Sequence, residues 1–188
     1  MKLKGESLMN SWKTLNSSYV YKTPFGNLRK DGCELPDGQK IESYYVNEYA
    51  DWVNAIVLTK EKQIVLVKQY RYAAQDFFLE IPAGKLEENE AYEEAILREV
   101  REETGYITER KPVLLGEFYV NPATQTNKVI TFLLLEAYKA FEQELDPTEF
   151  IDVHLVDLNE MEPMITNGEI NQLFSVSAYY MAKSFLTK

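Results

Sequence analysis

Three carboxylates crowd one short stretch of the chain: Glu99, Glu102 and Glu103. On a helix, Glu99 and Glu103 stand four residues apart and Glu99 and Glu102 three, so their side chains are neighbours. Like charges at those spacings destabilise a helix by about 0.2–0.5 kcal/mol per pair. The cluster therefore calls for a counter-charge. Arg98, adjacent to Glu99 and four residues before Glu102, supplies part of it. A hard divalent cation suits the rest. Mg²⁺ takes oxygen ligands, keeps several waters and is commonly shared between carboxylates and substrate phosphates. A Glu- and Arg-rich helix can also be a solvated face laced with ion pairs, so the surrounding residues must decide.

The chain around this cluster has 188 residues, 45% of them hydrophobic, with a formal charge of -10 and a pI near 4.7. That length suits one domain, or one domain with a small accessory unit. An acidic balance argues against nucleic acid and against anionic membrane as partners, because both are bound through Lys and Arg. It does not exclude a phosphorylated small molecule if metal ions screen the repulsion. The lone cysteine, Cys33, makes no intrachain disulfide, so nothing points to an oxidising compartment. No apolar run reaches the length of a membrane span. The opening residues, Met1 to Glu6, lack the apolar stretch of a secretion signal. The expected location is cytoplasmic, and Met9 reads as an alternative start.

The elements that would position the cluster divide into two parts, residues 1–50 and 51–188. In the first, Ser18–Tyr21 and Ile41–Val46 have strand character, with a Pro-Asp-Gly turn at Leu35–Gln39 between them. Three or so strands bury little surface alone, so this part should pack on the main domain or on a second subunit. In the second, Trp52–Leu58 and Gln63–Val67 read as a hairpin and Phe77–Ile81 as a short strand. A helix over Ala91–Thr104 is stopped by Gly105. Strands are expected at Leu114–Val120, Val129–Glu136 and Ile151–Val156, and helices at Leu158–Thr166 and Asn171–Leu186. Along the central helix Ile96, Leu97 and Val100 share the arc that should face a core, with the carboxylates on a different arc. The class is α/β.

The full pattern around the carboxylates is more specific than the cluster. Gly84, Glu90, Arg98, Glu99, Val100, Glu102, Glu103 and Gly105 match G-x5-E-x7-R-E-U-x-E-E-x-G-U, with U aliphatic, at every fixed position. Tyr106 departs from it, being aromatic where an aliphatic residue is usual. On these residues the chain resembles the Nudix hydrolase family. The resemblance implies an α/β/α sandwich with a mixed sheet and a loop–helix–loop that holds Mg²⁺, with Mn²⁺ as a substitute. It implies Glu99 and Glu103 as metal ligands, Glu102 as a third ligand or a base, and the Ala83 carbonyl as a further ligand. Arg98 would orient the carboxylates, and Glu90 would brace the loop near Gly84. The chemistry would be hydrolysis of a diphosphate. Metal neutralises the oxygens and activates water, and a carboxylate accepts the proton.

Three further features resemble the ADP-ribose pyrophosphatase branch. Val67-Lys68-Gln69-Tyr70-Arg71 precedes Glu80-Ile81-Pro82-Ala83-Gly84, and Arg71 would meet substrate phosphates, whose geometry the guanidinium fork matches. Arg71 could instead cap a loop or pair with Asp76. Pro122 lies 16 residues after Tyr106, in a loop running from Tyr119 to Thr126; Pro122 and Thr126 become substrate-binding candidates. Ala123 departs from the glycine usual after that proline. The Tyr-rich N-terminal part would form a small β-domain exchanged between the subunits of a homodimer, with Trp12, Tyr44, Tyr45 and Trp52 as candidates for stacking on a nucleobase or for sheet packing. The general base is expected at Glu149, with Glu144 and Asp146 as alternatives. His154 reads as a structural or exposed imidazole. The expected substrate is ADP-ribose, cleaved to AMP and ribose 5-phosphate. The alternatives are another nucleoside-diphosphate sugar, such as GDP-mannose or ADP-glucose, or a non-catalytic ligand-sensing domain.

Overall fold

A computed structural model describes residues 11–187. Met9 and the opening six residues lie outside the described part. The chain folds as two compact units: residues up to Ala50 together with Tyr119–Asn127, and the remainder.

The smaller unit is an antiparallel sheet of β1 (Lys13–Thr23), β2 (Gly26–Glu34) and β3 (Lys40–Glu48), in that spatial order. Leu35–Gln39 forms the expected turn, closed by a Leu35 N–H bond to the Gln39 carbonyl at 2.8 Å, with Gly38 at φ +89°. The strand before it is a finding. Arg29, Lys30 and Asp31 interrupt any apolar alternation, so β2 has no strand signature. It is held by charge as well as by its ladder. Asp31 is buried and accepts from Arg29 Nε at 2.9 Å, which holds its carboxyl below the usual range, and Arg29 also pairs with Glu48. The Tyr119–Asn127 segment is fastened to β3. Asn47 N–H donates to the Thr124 carbonyl at 2.8 Å, Thr126 N–H donates to the Asn47 carbonyl at 3.1 Å, and the Tyr44 hydroxyl donates to the Ala123 carbonyl.

The larger unit is built on a mixed sheet. Its strands are β4 (Trp52–Thr59), β5 (Gln63–Arg71), β6 (Asp76–Glu80), β7 (Ala83–Lys85), β8 (Tyr106–Ile107), β9 (Val113–Tyr119), β10 (Lys128–Lys139) and β11 (Ile151–Asp157). The main path runs β11-β5-β4-β10-β8, with β10 parallel to β4; β6 pairs β5, β7 pairs β4 and β9 pairs β10. Both faces are covered. Alternation sends Val53, Ala55 and Val57 toward the helix α1 (Tyr92–Thr104), where Ile96 and Val100 meet them. Ile56 and Leu58 point the other way, onto α2 (Met161–Thr166) and α3 (Leu173–Leu186). A strand buried on both faces reads as a continuous apolar run, as Val53–Leu58 nearly does. Each such fully buried aliphatic side chain contributes about 1.5–3 kcal/mol.

The expected helix over Leu158–Thr166 is shorter. The Leu158 amide bonds to the Lys62 carbonyl at 2.9 Å, and the chain turns once before α2 begins at Met161. Helix α3 starts at Leu173, because the Gln172 side chain caps it by accepting from the Ser175 amide at 2.8 Å. Among the described residues no helix is long and apolar enough to cross a membrane.

Candidate active site

The site is assembled where β7 leads into the loop before α1. After Glu80 the chain passes through Ile81 and Pro82. The Ile81 amide donates to the Ser175 hydroxyl at 3.1 Å, and the Pro82 carbonyl accepts from the Ala55 amide at 3.2 Å. The first bond ties the corner to α3 and the second to β4, and Ala83 and Gly84 then pair with Asn54 and Val53 of β4. Gly84 is needed for close approach. A Cβ there would lie 1.9 Å from the Glu99 carboxyl carbon. The helix that presents Glu99 carries Glu93 and Glu94 in its first turn, where they complement the dipole. It ends at Gly105 with φ +74°, and a Cβ at Gly105 would meet the Phe141 carbonyl at 2.0 Å.

Glu103 departs from the expectation that the carboxylates sit apart from the core arc. Seven residues from Ile96, it falls only about 20° from it on the wheel, and it is 4% exposed. Its Oε2 accepts from the Ala83 amide at 3.0 Å. Burial pushes its carboxyl up to about 8; the Ala83 amide opposes that, the charges of Glu99 and Glu149 add to it, and Arg71 opposes it. Glu99 is raised as well, chiefly by burial and against the pull of Arg98. Two neighbouring buried carboxyls that resist ionisation call for a nearby positive charge.

Arg98 holds the cluster. Its Nε and Nη2 donate to Glu90 at 2.8 and 2.9 Å, its Nη1 donates to Glu99 at 2.9 Å and to Glu102 at 3.0 Å, and Nη2 also reaches the Lys85 carbonyl at 2.9 Å. Glu90, held below the usual carboxylate range by Arg98, also accepts from the Glu87 amide at 2.9 Å and so fastens the loop. The donor set fits a hard divalent ion: three carboxylates and the Ala83 carbonyl, all oxygen. Among the described residues no three acidic, His or Cys side chains already close around one point. Glu99 and Glu102 turn to Arg98, and Glu103 turns to the Ala83 amide.

The acidic loop after β10 is stapled to this helix. Gln143 Nε2 donates to the Glu103 carbonyl at 2.7 Å and to the Ile151 carbonyl at 3.0 Å, and the Glu144 amide donates to the Glu102 carbonyl at 2.9 Å. The Glu144 carboxylate is taken up by Arg101 at 2.9 Å. Glu149 closes a turn by accepting from the Asp146 amide at 3.1 Å, and its charge acts on both Glu99 and Glu103.

Arg71 does not pair with Asp76, although the two are partners in the β5–β6 register. Its guanidinium grips Glu80, with Nε at 3.2 Å from both carboxylate oxygens and Nη2 bonded to Oε2. Asp76, at the hairpin end, turns its carboxylate to the Phe77 amide instead. Pro122 and Thr126 belong to the segment fastened to β3. Trp12 packs edge-on against Tyr44 with ring centres 5.9 Å apart, Tyr45 is exposed, and Trp52 has the Lys85 ammonium 5.7 Å from its ring centre. His154 is exposed and Cys33 is buried. Sequence reading missed Glu80, Gln143, Arg101 and Ser175. Only Glu80 carried a signal, as a charge inside an otherwise apolar run, Phe77–Ile81.

Comparison with known proteins agrees with this geometry. Residues 49–174 match the NUDIX domain, and residues 12–47 match the nucleoside diphosphate sugar hydrolase N-terminal domain. An ADP-ribose pyrophosphatase of Bacillus subtilis is 32% identical over 160 residues, covering 84% of this chain and 85% of that protein. A methanol dehydrogenase activator of Bacillus methanolicus is 33% identical, covering 79% and 80%. A crystal structure of an ADP compounds hydrolase superposes with a TM-score of 0.84 over 95% of this chain and 96% of that one, at 18% identity, which speaks to the fold. With the family's domain spanning most of its length and every fixed position of the Gly84–Gly105 motif, the Nudix box, in place around Glu99 and Glu103, this chain belongs to the Nudix family.

Proposed function

We propose that the chain hydrolyses the pyrophosphate bond of ADP-ribose to AMP and ribose 5-phosphate, using Mg²⁺, or Mn²⁺ in its place. The observation that carries this reading is the buried carboxylate of Glu103 beside Glu99, at a corner where Arg98 is already shared among Glu90, Glu99 and Glu102. One guanidinium cannot balance that charge. Resemblance to ADP-ribose pyrophosphatases over most of the chain supports the substrate. Glu99, Glu102, Glu103 and the Ala83 carbonyl would hold the metal. When bound, it supplies charge neutralisation of the diphosphate and a water of lowered pKa. Glu149, on an exposed turn whose charge already acts on Glu99 and Glu103, accepts the proton of the attacking water, with Glu102 as the other candidate base. Arg71 binds a phosphate. Pro122 and Thr126 shape the side that meets the nucleoside or sugar.

We place the N-terminal unit, residues 1–50, as a module exchanged between two subunits. The support is its surface: β1 is exposed along its whole length, and Trp12, Tyr19 and Tyr21 each keep nearly half of their surface exposed. Patches of that kind on one chain mark contact surfaces. A one-chain mass by light scattering would remove this arrangement. The cytoplasm is the proposed location, on the single unpaired thiol.

The test is a substrate panel with Mg²⁺, coupled to a phosphatase. ADP-ribose should give the highest kcat/KM, by about tenfold or more over ADP-glucose and GDP-mannose, and chelation by EDTA should abolish turnover. Ala123, and the N-terminal match to nucleoside diphosphate sugar hydrolases, favour a second reading in which another such sugar is preferred. Equal or better turnover of GDP-mannose would establish that reading in place of the first.

A further inference from the structure

Glu80 lies outside the Gly84–Gly105 motif, yet it is a carboxylate held at 4% exposure, the one buried residue of β6. A buried charge of this kind is costly unless paired, and its partner is Arg71. Strand geometry shows what the pair faces. Along β5, Val65 points to the α1 side of the sheet, and a period of two carries Val67, Gln69 and Arg71 to that same side. Glu80 is the register partner of Val67 and points there too. Arg71 therefore leaves the sheet on the face that α1 covers, close enough for its charge to act on Glu103. Gln69 Nε2 approaches Glu80 at 3.5 Å and flanks the carboxylate.

The way the guanidinium is held matters. Glu80 takes the Nε and Nη2 edge. Nη1 makes no hydrogen bond among the described residues, and the Arg71 side chain keeps 38% of its surface. One edge is locked by a buried carboxylate while the other stays available. A planar fork fixed on one edge has little rotational freedom left, so the free edge is presented in one orientation.

We infer that Glu80 is a positioning residue. It orients Arg71 so that the uncommitted edge of the guanidinium meets a phosphate oxygen of the bound diphosphate, without itself touching substrate. This rests on Arg71 being a phosphate contact, as proposed above. A double-mutant cycle on the full chain with Mg²⁺ and ADP-ribose separates the two claims. Arg71→Ala should raise KM by well over tenfold; an unchanged KM would sink the Arg71 reading itself. Glu80→Gln keeps one hydrogen bond but loses the charge and the two-oxygen grip. It should raise KM by about tenfold with kcat within about threefold, and it should change KM no further in the Arg71→Ala background. Glu80→Asp, which keeps the charge but withdraws it by one methylene, should show the same pattern if Glu80→Gln is too unstable to assay. A purely structural Glu80 would lower Tm in both backgrounds and leave KM alone. That outcome, or a KM effect of equal size with and without Arg71, overturns the inference.

Discussion

Glu103→Gln should abolish turnover and at the same time make the metal-free protein more stable. The two effects share one cause. Glu103 is buried, among the described residues its side chain has one hydrogen bond, from the Ala83 amide, and the charges acting on it include Glu99 and Glu149. Glutamine keeps an acceptor for that amide and removes the charge. The sign of the pH dependence follows from the pKa. In the folded chain the carboxyl is pushed up to about 8, whereas an unfolded Glu titrates near about 4.3. A group raised in this way contributes its stability fully below the unfolded value and loses it as pH rises through the folded one. Metal-free wild type should therefore lose stability from about pH 4 to about pH 8, and the variant should not share that loss. Even a modest part of such a shift amounts to about 1–2 kcal/mol, or about 2–8 °C in Tm for a chain of this size. Thermal melts in EDTA at pH 6 and pH 8 would show it. With Mg²⁺ present, loss of a ligand that contributes several kcal/mol of charge stabilisation should cut kcat by about 10³ or more. Near-normal turnover, or a variant less stable than wild type at pH 8, would contradict the assignment.

Arg98→Ala should act in the opposite direction on stability. The guanidinium carries bonds to Glu90, Glu99, Glu102 and the Lys85 carbonyl. Deleting it leaves three carboxylates facing one another without a counter-charge. Removing one partner of a buried pair costs about 3–5 kcal/mol. With a fifth of the Arg98 side chain still solvated, about 2–4 kcal/mol is the reasonable figure, or about 5–15 °C in Tm. Saturating Mg²⁺ should recover part of that, since it replaces the charge at Glu99 and Glu102 but leaves Glu90 alone. Turnover should fall by about 100-fold because the ligands lose their orientation. Arg98→Lys should rescue little, as a point charge cannot span the same partners. Melts and steady-state rates on both variants, with and without Mg²⁺, test this. A melting point within about 2 °C of wild type would show that the network contributes little.

The two variants also show what was legible in the sequence. The box is local: a glycine, a turn and 13 helical residues carry most of it, so pattern alone brought together Gly84, Glu90, Arg98, Glu99, Glu102 and Glu103. The strands β4, β5 and β10 were legible because burial on both faces leaves nearly unbroken apolar runs. Other features depend on pairing across the chain. Strand β2 is rich in charge and is fixed by Arg29, Asp31 and Glu48, which no periodicity reveals. Strand β7 is three residues long and exists because β4 offers it an edge. Gln143 joins the acidic loop to the last turn of α1 across 40 residues. Arg71 was expected to meet a phosphate, cap a loop or pair with the neighbouring Asp76. It takes Glu80, because the buried carboxylate needs it more than the exposed one does.

One measurement reaches the central claim most directly: anomalous diffraction from crystals of the full chain soaked in Mn²⁺. At least one strong peak is expected about 2.0–2.3 Å from carboxylate oxygens of Glu99 and Glu103, with the Ala83 carbonyl in the same shell and Arg98 still bound to Glu90. A peak elsewhere, or none beside Glu99 and Glu103 in crystals of protein that hydrolyses a diphosphate, would contradict it.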